Sequence, residues 1–145
     1  MSSFITGLTT AQIAALTTDQ IAALTTEDIA AFSATQIMAL TTAQVPAFST
    51  DSIAAFSTSQ FPSFTTAQVV ALTTGQVAAI ETADLASMTA TQIAAIATDD
   101  IVALTTAQVA ALSSTQVASL STTQIAAMET RIKFGLGEEL PWGYR

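Results

Sequence analysis

Apolar residues recur along this chain at two fixed places in every eight. From Leu8 the chain divides into fifteen octads that end at Ala127 without insertion or deletion. The first position of each octad is Leu, Phe, Ile or Met, as at Leu8, Phe32, Ile80 and Met88. The sixth is Ile, Val, Leu or Phe, as at Ile13, Val45, Phe61 and Leu85. The eighth admits only Ala or Ser. Positions two and three are mostly Thr or Ser, and position five is mostly Gln with some Asp. Position seven is loose, taking Ala, Val, Met38, Pro46 and Pro62. A fixed period of this kind marks a repeat array, in which each unit buries its apolar face against its neighbours.

Eight residues fit no continuous element. Along one α-helix they turn by about 800°, so the apolar stripe drifts by about 80° per octad and faces no partner consistently. A heptad coiled coil is excluded on the same ground. Along one strand, positions one and six have opposite parity and point to opposite faces. The chain therefore bends once per octad. Thr or Ser at position two with Gln or Asp at position five approximates a capping box, and positions one and six then fall at N′ and N4, the two sites of a hydrophobic staple. In the same register Asp19, Glu27, Asp51 and Asp99 stand at N2, where the positive end of a helix favours them. The expected fold is all-α: a solenoid-like superhelix of about fifteen short helices, one per octad, each about one and a half turns long.

Helices this short do not persist alone, so positions one and six have to feed a shared core. The restriction of position eight to Ala and Ser places it where neighbouring segments approach closely. A β-solenoid is the alternative, because Thr, Val and Ile favour strands. Against it stand the many Ala and Gln residues and an array with a single glycine, Gly75. Pro46 and Pro62 favour the alternative, since at N5 a proline loses a helical hydrogen bond.

Composition narrows function by exclusion. The net charge is −8, and between residues 8 and 127 there are eight acids and no Lys or Arg. Such a chain repels phosphate backbones, so nucleic acid is not an expected partner, and neither is an anionic membrane surface. No run of about 20 apolar residues offers a membrane span, so no membrane insertion is expected. MSSFITGL lacks the basic and apolar regions of a cleavable signal. An extracellular or cell-surface location reached by a route without an N-terminal signal is favoured over a cytoplasmic one. There is no Cys and no His, which removes thiolate chemistry, the commonest metal ligand and the commonest general base.

The remaining candidates for chemistry are few. Glu27–Asp28 and Asp99–Asp100 are adjacent acid pairs, but sequence neighbours do not face each other on a helix, and both are expected as solvated helix-start acids. Phe32, Phe48, Phe56, Phe61 and Phe64 all occupy position one or six and are expected to fill the core rather than line a ligand pocket. No cofactor, metal site or catalytic residue is expected, and the chain is not expected to be an enzyme. The rows of Thr could form a regular hydroxyl surface, which keeps open a second reading: a Thr/Gln surface that binds a polymer, ice or a protein partner.

The period breaks in the tail, METRIKFGLGEELPWGYR, which holds all the basic charge. The chain thus divides into a lead-in at 1–7, the array at 8–127 and a cap or docking segment at 128–145. Arg131, Lys133, Phe134, Trp142, Tyr144 and Arg145 are the candidates for self-association, by docking on the acidic array of another copy to give a head-to-tail homo-oligomer or filament.

LTTAQIAAL, LTTDQIAAL and LTTAQVAAL at 104–112 resemble the Thr/Gln/Ala-rich octapeptide arrays of large, acidic bacterial exported or surface proteins. The likeness spans residues 8–128. It implies a spacer or scaffold, and it carries no catalytic residues to transfer. The expected function is a non-enzymatic, rod-like structural scaffold that self-associates.

Overall fold

A computed structural model describes residues 4–131, with side chains described through Met128. Among the described residues there are thirteen α-helices and three short 3-10 helices, and no strand. The array is all-α, and the β-solenoid alternative fails. One helical element falls in each octad, from Thr10–Ala14 in the first to Thr122–Arg131 in the fifteenth.

The corners lie where the capping register puts them. Thr9 has extended backbone (φ −78°, ψ 166°), and its hydroxyl accepts from the Gln12 N–H at 3.1 Å. The Gln12 Oε1 in turn accepts from the Thr9 N–H at 2.8 Å. The same reciprocal pair recurs at Thr17–Gln20, Thr25–Asp28, Ser33–Gln36 and onward to Ser113–Gln116. Each helix of the array before the last closes with an i→i−3 bond from the position-one amide to the position-six carbonyl, as from Leu16 to Ile13 at 3.2 Å and from Leu40 to Ile37 at 3.1 Å; the last runs on to Arg131. At the position-one residue or the next the backbone is extended again, as at Leu40 (ψ 135°) and Thr17 (ψ 161°). That alternation turns the chain at every octad.

Each element packs against the one three octads along: Thr10–Ala14 against Ala34–Ala39, Thr74–Ala78 against Thr98–Ala103, and Thr98–Ala103 against Thr122–Arg131. The core runs up the middle of the resulting coil. Position six is fully buried from Ile13 to Ile101, and position one from Leu24 to Leu112. Position eight is the half-buried small residue packed at its edge, as at Ala39, Ala55 and Ala79. Position seven faces solvent. Met38, Val70 and Val102 are about half exposed there, which is why that place tolerates so many residue types.

Pro46 and Pro62 are accommodated without breaking the array. Each sits in a 3-10 helix, Val45–Ala47 and Phe61–Ser63, in place of the α-helix of other octads. The missing proline N–H removes an α-helical bond, and the chain keeps the shorter bond from Ala47 N–H to the Gln44 carbonyl at 2.9 Å. The corner survives because its bonds precede the proline.

Candidate functional site

The position-five glutamine does more than cap. From Gln36 onward every residue at this position is buried, although position five read as part of the polar stretch. While Oε1 holds the local N-cap amide, Nε2 reaches into the turn of superhelix beneath. Gln36 donates to the Ile5 carbonyl at 2.7 Å and the Leu8 carbonyl at 3.0 Å, 31 and 28 residues earlier. Gln68 repeats this on Ile37 and Leu40 at 2.7 and 2.8 Å, and Gln108 on Val77 and Ile80 at 2.8 and 2.7 Å. Gln44, Gln60, Gln76, Gln92, Gln116 and Gln124 do likewise. A carboxamide has two donors and two acceptor sites, and here both ends are used in a dry place. One turn thus takes between three and four octads, and successive turns are joined by a ladder of buried amides.

The ladder has three gaps. Ser52 is too short to reach down and bonds instead to Ser49. Asp84 and Asp100 are buried as well, which corrects the expectation that Asp99–Asp100 is a solvated pair: Asp99 is exposed, and Asp100 lies inside. The reason is position, since in this fold position five points at the next turn whatever residue stands there. Burial, and then the neighbouring Glu81 carboxylate, push the Asp84 carboxyl up to about 6. Burial, and then Asp99, raise Asp100 in the same direction.

Other sequence candidates resolve as packing. Phe32, Phe48, Phe56, Phe61 and Phe64 are buried ring on ring, with centroids 5.1 to 6.4 Å apart, mostly edge-to-face. Glutamine is withdrawn from the surface beyond the first turn, so the Thr/Gln face considered from sequence is a face of Thr and Ser alone. Its position-two hydroxyls are spent as caps. A groove of about 420 Å³ near the start of the array is lined by Thr6, Thr9, Thr10, Ser33, Thr35 and Gln36, with no titratable group. Among the described residues no three acids gather as metal ligands, and no helix is long and apolar enough to cross a membrane. Of the proposed self-association residues, Lys133, Phe134, Trp142, Tyr144 and Arg145 lie outside the described residues. Arg131 ends the last helix, with its side chain outside the description.

No match was found among curated proteins or among solved structures. The family model of the ALTTAQ repeat matches residues 2–26, 21–58, 51–79, 77–114 and 93–130. Those segments cover the array end to end, and the chain belongs to the ALTTAQ repeat family.

Proposed function

We propose that the chain is a non-enzymatic structural spacer whose copies join end to end, with residues 128–145 as the cap or docking segment. The observation that supports it is the amide ladder. Eight glutamines join one turn to the next with the same two-carbonyl contact, and Gln124 makes a close variant of it on Ala94 and Ile96, so the length of such a coil is set by the number of octads. In the first turn Gln12 and Gln20 are exposed and spend only Oε1, on their own caps. Their amides offer another copy the donors that later turns direct inward, and the tail, which holds the chain's three basic residues beside three acids, offers cations to the acidic array. The joint is heterologous, a geometry that grows filaments unless it closes.

Multi-angle light scattering of the full chain and of a variant lacking residues 131–145 tests this. The full chain is expected as a concentration-dependent series of multiples that collapses to monomer in the deletion. An unchanged oligomer size after the deletion rules out docking through the tail.

A further inference from the structure

At two rungs of the ladder the amide donor is replaced by an acid, and the cap beneath is lost with it. In the tenth octad Asp84 stands at position five above Glu81 at position two; in the twelfth, Asp100 stands above Ala97. Among the described α-helices, Thr82–Ser87 and Thr98–Ala103 are the two whose N-cap lends no side-chain bond. Asp84 is 3% exposed, and its Oδ2 is buried without a hydrogen-bond partner.

The ladder fixes what a donor at residue 84 serves. Gln76 donates to the Val45 and Phe48 carbonyls, and Gln92 to those of Phe61 and Phe64. The same register assigns Ile53 and Phe56 to Asp84. An ionised carboxylate only accepts, so it repels those two oxygens, leaves the Phe56 carbonyl without a donor where water is scarce, and leaves that of Ile53 with only its helix-closing bond from the Phe56 N–H at 3.3 Å. A protonated carboxyl carries one O–H that does the work of the amide. Aspartate is one methylene shorter than glutamine, so the bond requires the helix start to settle toward the turn beneath. The absent N-cap bond leaves that start unlocked.

We propose that Asp84 is a proton-operated link between turns: protonated, it donates to the Ile53 or Phe56 carbonyl and closes the junction, and ionised, it lets the helix Thr82–Ser87 open away from the turn beneath. Asp100 is a second link of the same kind, set over Val69 and Leu72. The elements packed on Thr82–Ser87, namely Phe61–Ser63 and Thr106–Ala111, bring no titratable side chain; the helix beneath that carries Ile53, Thr50–Ala55, brings the exposed Asp51, and Glu81 is the charged neighbour on the helix's own start. Around Asp100, Thr74–Ala78 brings none, Asp99 adjoins it, and the last helix carries Glu129 and Arg131. The sign follows from linkage. A carboxyl raised from 3.8 to about 6 on folding holds the fold most firmly below its unfolded value, and that contribution is lost as pH rises through about 6.

The test uses the full chain, with a carboxyl NMR titration and amide exchange measured at about pH 5 and about pH 7.5. Asp84 is expected to titrate at about 6, above the ordinary 3.8. Protection of Thr82–Ser87, relative to the glutamine-tied helix Ala90–Ala94, is expected to fall by about tenfold or more between the two conditions. Asp84→Gln is expected to abolish that fall. Asp84 titrating at the ordinary 3.8, the two helices tracking each other across pH, or a wild-type pH dependence in Asp84→Gln would each overturn the proposal. So would protection at high pH that depends on added calcium chloride, which would put a cation where the proton is placed. The wild-type titration decides the matter even if the variant does not fold.

Discussion

One glutamine side chain in this protein closes a corner and ties two turns together, and the two tasks differ in cost. Gln12 in the first turn only caps, whereas Gln92 also donates to the Phe61 and Phe64 carbonyls at 3.0 and 2.6 Å. Removing an exposed cap partner costs about 1 kcal/mol or less. Removing Gln92 also strands the Phe64 carbonyl and leaves that of Phe61 only its bond from the Phe64 N–H at 3.1 Å, so Gln92→Ala is expected to cost about 2–4 kcal/mol against about 1 kcal/mol or less for Gln12→Ala. Urea unfolding of the two variants checks this, and equal losses would mean the ladder contributes nothing. Phe56 touches four other rings, those of Phe32, Phe48, Phe61 and Phe64, and Phe56→Ala is expected to cost about 3–5 kcal/mol. The capping role was legible because it is local, three residues from Thr to Gln. The ladder was not: its offsets of 28 and 31 residues are not multiples of eight, and a buried Gln reads like a solvated one in sequence. The same blindness placed Asp100 in water.

At the scale of one octad the sequence was close to explicit, since cap, staple and helix-start acid all named one register and the helices begin there. Its conflict lay at Pro46 and Pro62, which weighed toward a β-solenoid. The structure resolves this locally, because the corner is made by positions two to five and only the last bonds change, from α to 3-10. Gln44 and Gln60 keep their rungs to Ile13 and Ile29 at 2.8 Å each. Replacing both prolines by Ala, the commonest residue at position seven, restores one N–H per octad, a gain of about 0.5–1.5 kcal/mol for each bond made. It also frees the unfolded chain, at a cost of about 0.4–1 kcal/mol per site. The double variant Pro46→Ala/Pro62→Ala is therefore expected to gain helical circular dichroism with little change in urea midpoint. A large loss of stability would show that the 3-10 geometry is itself required by the packing around Phe61 and Phe64.

For the whole molecule the rung offset sets a minimum size and a rule for growth. A rung needs a partner 28 to 31 residues earlier, so three octads contain none, and every helix in them is below the length that persists in water. A peptide of residues 64–87 is accordingly expected to show no helical signal, while the full chain unfolds as a coupled array. Growth follows the period. Repeating residues 64–95 in tandem adds four octads, slightly more than one turn, and keeps every downstream side chain in register. At the usual spacing of packed helices this lengthens the coil by about 10 Å. Repeating residues 64–67 alone shifts the next turn by half a period against the one beneath, so Gln68, Gln76 and Gln92 lose their carbonyls, while Gln108, Gln116 and Gln124 keep partners that move with them. Small-angle scattering and circular dichroism are expected to show a longer, fully helical particle for the first insertion and, for the second, a loss of helix confined to the turn whose rungs span the insertion. If both insertions fold equally well, the turns are not locked to one another, and the amide ladder is a consequence of packing rather than its cause.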